Sequence, residues 1–248
     1  MEMRFVAFVG TEGGMPTEAV EEMNRDWPAY AQMLERRGGL RLGRELRLPE
    51  DGVATVRVRD GKTIVSDGPF VETKEYVAGL DLFEAADLED AIDLESKSPV
   101  ARFLPFEIRP LPDHFRLGSG LSAFTDREDS GGTPYLLLVW VDPASAEVPV
   151  DAEAVRSECD AWRSALEGNG RFVFGGAVGA PEDATTLRIQ AGDLQLSRGS
   201  FIDTQTFIAA IEVIRGEDLA AATELAATHP LARERTIEVR PFYREDAD

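Results

Sequence analysis

Apolar residues along the chain follow two spacings that alternate. Residues 4–10 and 134–141 are continuous apolar, β-branched and aromatic runs, which are typical of buried strands. After each run, apolar residues recur three or four positions apart, which predicts helices over residues 17–38 and 151–168. Shorter segments of period two follow, separated by Gly-centred turns, and these predict antiparallel strands.

The pattern occurs twice because the sequence is duplicated. A shift of 131 residues aligns residues 55–110 with 186–241, and 18 of these 56 positions are identical. In the first copy a second helix is predicted to begin at Asp87, which suits an N-cap, and to end before Pro99. A last strand is predicted over residues 103–109.

The duplication predicts the domain organisation. Residues 1–116 and 134–248 form the two repeats, and the Gly- and Ser-rich residues 117–133 are predicted to be a flexible linker. The element order of each repeat is that of a ferredoxin-like βαββαβ unit, whose sheet has helices on one face and leaves the other apolar face uncovered. We therefore predict an α+β fold in which the two units form an intramolecular dimeric α+β barrel, a pseudo-dimer. Whether two such chains form a further homodimer is left open.

Charge and composition exclude several classes of partner. Asp and Glu number 46 against 26 Lys and Arg, a net charge of −20 that repels phosphate backbones, so we expect no nucleic-acid partner. The apolar runs are too short to cross a bilayer, so no membrane partner is expected either. The single cysteine excludes an internal disulfide, and the short apolar start does not suit a signal peptide. A cytoplasmic location is the expectation.

One segment concentrates side chains that could carry chemistry. Residues 67–75 read Asp-Gly-Pro-Phe-Val-Glu-Thr-Lys-Glu, and Lys74 is one of only three lysines in the chain. An ammonium between Glu72 and Glu75 could bind an anionic substrate or position a carboxylate as a general base. The same residues also suit a surface ion pair beside a tight turn at Asp67 and Gly68.

This segment, together with Thr-Val-Arg-Val-Arg-Asp-Gly at residues 55–61 and Arg109-Pro110, resembles the DGPF-type branch of the YCII-related family. The resemblance is clear over residues 3–110 and decayed over residues 134–241. It implies a dimeric α+β barrel with a pocket between sheet and helices, chemistry on small molecules, and genes beside extracytoplasmic-function sigma factors.

The simpler members of that family carry a His on the first helix and an Asp directly before a Pro near the end of the second. In this chain the first helices contain no His, and the residues before the matching Pro are Ser98 and His229. A His/Asp mechanism is therefore not carried over. Whether the protein is an enzyme stays open.

The predicted function is the binding or conversion of a small anionic or phenolic molecule in a pocket of the first repeat. The candidate catalytic residues are Asp67, Glu72, Lys74 and Glu75, and the candidate substrate-binding residues are Arg57, Lys74 and Tyr76. The second repeat keeps the Gly and Phe of the motif but has Arg198, Gln205 and Thr206 where the first has Asp67, Lys74 and Glu75. The alternative is a non-catalytic regulatory protein whose acidic surface binds a basic partner, such as a sigma-factor region.

No metal or cofactor is predicted. His114 has no nearby Cys or paired His, so it lacks the companions of a metal ligand. Residues 118–123 match the dinucleotide pattern G-x-G-x-x-A but follow no apolar strand, so they are interpreted as linker.

Overall fold

We describe a computed structural model of the chain, in residues 2–13, 15–39, 41–49, 52–70, 75–125, 132–142, 152–202 and 206–243. Its strands and helices, in chain order, are β1 (Met3–Thr11), α1 (Thr17–Arg37), β2 (Arg41–Glu45), β3 (Ala54–Arg59), β4 (Lys62–Asp67), β5 (Tyr76–Ala85), α2 (Leu88–Ser96), β6 (Phe106–Pro110), β7 (Arg116–Leu117), α3 (Leu121–Thr125), β8 (Thr133–Val141), α4 (Glu153–Gly168), β9 (Phe172–Ala177), β10 (Thr185–Gln190), β11 (Asp193–Arg198), β12 (Phe207–Gly216), α5 (Leu219–Ala227) and β13 (Thr236–Pro241). Short 3-10 helices follow α2 at Pro99–Arg102 and α5 at Pro230–Arg233.

The strands form two antiparallel sheets. The six-stranded sheet has the order β11-β10-β6-β1-β5-β2, and the seven-stranded sheet has the order β4-β3-β13-β8-β12-β9-β7. The four strands β6-β1-β5-β2 and their counterparts β13-β8-β12-β9 are the sheets of two βαββαβ units. The predicted mixed α+β class is confirmed.

Each sheet is completed by a hairpin from the other repeat. The β3–β4 hairpin of the first repeat pairs with β13 of the second, with Val56 opposite Ile237. The β10–β11 hairpin of the second repeat pairs with β6 of the first, with Thr186 opposite Glu107. The chain accordingly divides into unit 1 (Met1–Glu45, Thr73–Pro112 and Gly179–Asp203) and unit 2 (Leu46–Glu72, Asp113–Val178 and Thr204–Asp248). These compact units differ from the two contiguous halves that the sequence repeat suggests.

The tips of both hairpins have the same turn. Asp60 and Gly61 have φ of 51° and 71°, and the matching Ala191 and Gly192 have φ of 53° and 89°. Two consecutive residues with positive φ are the geometry of a two-residue hairpin turn whose twist matches the strands. The predicted turn at Asp60-Gly61 is confirmed.

The second helix of each repeat begins in the same way. The Asp87 carboxylate accepts a hydrogen bond from the Asp90 N–H (2.9 Å), and Asp218 accepts one from the Ala221 N–H (2.8 Å). Each bond satisfies one of the N–H groups that a helix start leaves without a partner, which confirms Asp87 as an N-cap. The helices cover one face of each sheet, where Phe83, Ala91 and Leu94 are core residues of unit 1.

The expected flexible linker is corrected over its first half. β7 pairs with β9, α3 follows it, and the Gly118 N–H donates to the Val173 carbonyl (2.7 Å). A Cβ at Gly118 would lie 2.6 Å from the Phe172 ring, so the glycine permits a close approach to β9. The glycine content of a segment does not by itself show whether the segment is flexible or packs closely against a strand. Residues 126–131 lie outside the described residues.

None of the helices in the described parts of the chain is long and apolar enough to cross a membrane.

Candidate functional site

The predicted site residues divide between the two units. Asp67 is the exposed last residue of β4, and Arg57 lies on β3, both in unit 2. Glu75 and Tyr76 lie in unit 1, at the start of β5. Glu72 and Lys74 lie outside the described residues. The functional role of these charged residues therefore remains a prediction.

Arg57 and Glu75 both have partners within their own units. The Arg57 guanidinium lies 4.8 Å from the centre of the Phe70 ring, and burial, followed by the charge of Arg59, lowers its pKa. Glu75 forms an ion pair with Arg188 at 3.3 Å. Arg188 is the counterpart of Arg57 in the second repeat, because the two are 131 positions apart.

The Asp-Gly-Pro-Phe motif holds its hairpin in place through its backbone. Gly68 has a φ of 92°, its N–H donates to the Val53 carbonyl (2.8 Å), and its carbonyl accepts from the Thr55 hydroxyl (2.8 Å). The next bond leaves the repeat: the Phe70 N–H donates to Glu238 on β13 at 3.1 Å. Glu238 is almost fully buried and forms an ion pair with Arg240, also at 3.1 Å.

The second repeat reproduces this arrangement in unit 1. Gly199 has a φ of 103°, and its carbonyl accepts from the Thr186 hydroxyl (2.7 Å). The Phe201 N–H donates to Glu107 on β6 at 3.0 Å, and Glu107 forms a buried ion pair with Arg109. The Gly, Phe, Thr, Glu and Arg that recur in both repeats therefore have a shared structural task, which is to attach each hairpin to the other repeat.

A second group of charged residues lies on the helix side of the unit 1 sheet. Arg41 on β2 donates to Asp81 on β5 (2.8 Å) and to Glu95 on α2 (2.8 and 3.3 Å). It also donates to the hydroxyl of Tyr30 on α1 (2.7 Å). Tyr30 is 5 % exposed and Glu95 is fully buried. One guanidinium thus contacts two carboxyl groups and a phenol.

Two buried carboxyl groups beside one guanidinium compete for a proton. Burial, followed by the nearby charge of Asp81, raises the pKa of Glu95 to about 8. Burial also raises the pKa of Asp81, although Arg41 and a hydrogen bond from Glu95 oppose the rise. Burial, then Glu95, raises the pKa of Tyr30, so its hydroxyl keeps its proton. The geometry suits one proton shared between Asp81 and Glu95 near neutral pH.

Tyr30 connects this group to an open cleft of about 610 Å³ within unit 1. Tyr30, Ser98 and Pro99 are the buried residues of its lining. Met33, Pro99 and Ile189 contribute apolar surface. A cleft of this size with a few polar groups at its base and apolar walls is typical of a small-molecule site.

The matching position in unit 2 has a different set of side chains. Arg163 on α4 binds Glu212, the counterpart of Asp81, with an Nη2 to Oε1 distance of 2.6 Å. Burial acts to raise the pKa of Glu212, but Arg163 and His229 outweigh it and hold that pKa below its usual value. Trp162 packs edge-on against His229 at 4.6 Å between ring centres and donates to Thr228. Here one buried carboxylate faces the guanidinium, and the partly exposed Asp160 contacts its other side at 2.8 Å.

His229 has a structural role in this cluster. Its Nδ1 accepts from the Leu231 N–H (3.2 Å), which assigns the ring proton to Nε2, and Nε2 faces Glu212 at 3.5 Å. The side chain is 1 % exposed. Through Nδ1 this buried histidine caps the 3-10 helix that starts at Pro230.

The sequence contains signals for this cleft, although the residues concerned are not among the candidate site residues predicted from the sequence. Asp81 interrupts the otherwise apolar residues 76–83, and its counterpart Glu212 is acidic too. Tyr30 has an aromatic counterpart in Trp162. Ser98 directly precedes Pro99, and in the simpler members of the family that the sequence resembles the residue before the matching Pro is an Asp. The sequence repeat gives no signal for Arg41. The guanidinium in the corresponding cluster of unit 2 belongs to Arg163, which lies on a helix, whereas Arg41 lies on a strand.

Comparisons with known proteins agree with the duplication. A sequence model of the YCII-related domain matches residues 3–112 and again residues 133–245. An uncharacterized protein of Rhizobium meliloti (strain 1021) is 38% identical over 99 residues, which are 38% of this chain and 77% of that protein. A solved structure of a heme-binding protein from Thermus thermophilus covers 100% of this chain and 94% of its own, with 13% identity and a TM-score of 0.40. That similarity is too low to carry an argument about a ligand.

Proposed function

The chain belongs to the YCII-related family, and from this premise we propose that it binds a small molecule in the cleft of unit 1, with Tyr30 and Ser98 as the polar contacts. The observation that carries the proposal is the presence of Tyr30 and Ser98 in the lining of an open cleft, with the Tyr30 hydroxyl held by Arg41 at 2.7 Å. Such fixed orientation reduces the entropy lost when a ligand binds.

The difference between the units supports this assignment. Both have an acidic residue at the same place on the central strand, Asp81 and Glu212, but in unit 2 the larger side chains of Trp162 and His229 stand at the positions of Tyr30 and Ser98. The cleft in unit 1 lies between α1, the end of α2 and the β10–β11 hairpin tip. The first repeat therefore supplies the main site, as the decay of the motif in the second repeat suggests.

A pair of matched substitutions tests the proposal. Tyr30→Phe removes the hydroxyl and keeps the ring, so it should weaken binding of a ligand found by thermal-shift screening by about fivefold or more. Trp162→Phe, at the corresponding position of unit 2, should lower stability without changing the affinity. Equal affinities of Tyr30→Phe and wild type for every such ligand would contradict the proposal.

We also infer that the two sheets cover each other in the manner of a fused dimeric α+β barrel. In unit 1, Val6, Phe8, Leu80 and Leu82 alternate with the helix-side core residues, so the sheet face away from the helices is apolar. An apolar sheet face needs a cover, and this supports the proposed arrangement.

The fragment of residues 1–116 tests this inference. It retains the β3–β4 hairpin without its partner β13 and lacks the β10–β11 hairpin that completes β6. We expect it to dimerise or aggregate, because it exposes an apolar sheet face and an unpaired strand edge. A monomer by light scattering with a cooperative thermal transition would refute the arrangement.

A further inference from the structure

We infer that the cleft of unit 1 selects uncharged ligands that present a hydrogen-bond acceptor oxygen and discriminates against anions of the same shape. The inference rests on the proposed function, because it concerns the same cleft. It also narrows the ligand class, since the sequence leaves an anionic molecule as one of two options.

The cluster behind Tyr30 carries no excess positive charge as long as at least one of its two carboxyl groups is ionised. Behind Tyr30 stand one guanidinium, Arg41, and two carboxyl groups, Asp81 and Glu95. With one proton shared between the carboxyl groups, the cluster is neutral; without that proton it is negative. Arg41 therefore cannot balance the charge of an anion beside Tyr30.

The elements packed around Glu95 provide the conditions for that shared proton. Glu95 faces Arg41 from β2, Asp81 from β5 and Tyr30 from α1, and its side chain is fully buried. A buried second negative charge beside Asp81 would be costly, and a proton between the two carboxyl groups removes that cost.

The cations at the rim are already paired. Lys97 contacts Asp93 at 2.5 Å, and Arg102 contacts Glu22 at 3.1 Å and Asp26 at 2.6 Å. Each cation among the described lining residues thus has at least one carboxylate partner, and the rim offers an anion no surplus of positive charge.

The polar groups at the base suit an acceptor. The Tyr30 oxygen accepts the Arg41 hydrogen bond, and the Tyr30 and Ser98 hydroxyls share a hydrogen bond that uses one of their two protons and leaves the other for a bond to a ligand. The Ser98 hydroxyl beside it can donate or accept. An uncharged carbonyl oxygen on an apolar body meets these donors without bringing a charge into a partly desolvated site.

Benzamide and benzoate are suitable probes, because they have nearly the same shape and differ in charge. At pH 7 we expect benzamide to bind the wild-type protein at least about tenfold more tightly than benzoate by isothermal titration calorimetry. Tyr30→Phe should weaken benzamide about fivefold or more, and Trp162→Phe should leave it unchanged. Tighter, Tyr30-dependent binding of benzoate would overturn the inference and leave the proposed function standing.

Absent or Tyr30-independent binding of both probes would contradict the use of the cleft itself, and with it the proposed function. The shared proton is checked separately by carbon-13 NMR of glutamate carboxyl groups, with Glu95→Gln assigning the resonance by its loss. We expect Glu95 to be protonated at pH 6 and to ionise near pH 8. A Glu95 that is already ionised at pH 6 would refute the shared proton and leave the cluster negative, which would still support the discrimination against anions.

Discussion

Glu238, near the end of the second repeat, accepts a hydrogen bond at 3.1 Å from the backbone N–H of Phe70, in the Asp-Gly-Pro-Phe motif of the first. Glu107 accepts the corresponding bond from Phe201 at 3.0 Å. Each repeat therefore holds the motif of the other, which gives the motif a structural role in both copies. This role is independent of any ligand.

The bond to Glu238 predicts a loss of stability on substitution. Glu238→Gln removes the charge that Arg240 contacts inside the protein, so the free energy of unfolding in urea should fall by about 2 kcal/mol or more. Glu217→Gln is the control, because its side chain is 86% exposed and should change the free energy by less than about 0.5 kcal/mol. An unchanged Glu238→Gln would mean that the bond does not hold the hairpin.

The motif glycines predict a backbone effect. Gly68 and Gly199 have φ of 92° and 103°, and nothing lies within 4 Å of a Cβ at either position. Gly68→Ala and Gly199→Ala should each lower the free energy of unfolding by about 1 kcal/mol or more, because alanine is strained at that φ. Gly168→Ala, at the end of α4 with similar space, should not. Thermal unfolding of the three variants separates these outcomes.

The raised pKa of Glu95 predicts a pH-dependent contribution to stability. The folded protein holds the proton up to about pH 8, whereas the carboxyl group has a model value of 4.5. Between these values the folded state binds more protons than the unfolded state, so the contribution is complete below about pH 4.5 and is lost as the pH rises toward 8. The slope is at most about 1.4 kcal/mol per pH unit.

Urea unfolding at pH 5.5, 6.5 and 7.5 measures this contribution as the difference between wild type and Glu95→Gln. The variant has no carboxyl proton to lose, so its stability relative to wild type should rise with pH. A constant difference across the three pH values would show that Glu95 is ionised in the folded protein throughout.

Lys74 is the subject of a separate prediction. If its ammonium takes part in ligand binding, Lys74→Met should weaken the binding of an anionic or phenolic ligand found by thermal-shift screening by about tenfold and leave the melting temperature close to that of wild type. Gln205→Met is the matched control in the second repeat. A lower melting temperature with unchanged binding would indicate that Lys74 serves only as an ion-pair partner.

The sequence predicted most local structure correctly because local structure depends on short-range patterns. Asp87 caps its helix as its position suggests, and the Asp60-Gly61 turn has the positive φ pair of a two-residue hairpin. The candidate site was harder to predict from the sequence. In the sequence, Tyr30 is one of several apolar residues spaced three or four apart in the first predicted helix. Nothing local connects it to Glu95, which lies 65 positions away and is linked to it through Arg41.

By itself, the sequence determined the duplication, the mixed α+β class, the helix and turn positions and the family, because each of these is recorded in residue spacing and identity. Only the tertiary structure decided that the β3–β4 hairpin joins β13 and that the β10–β11 hairpin joins β6. Since the two repeats have nearly the same strand pattern, either partner would satisfy the pairing of each hairpin locally. Buried side chains far apart in the chain, Glu107 and Glu238, have their hydrogen-bond partners in the exchanged arrangement.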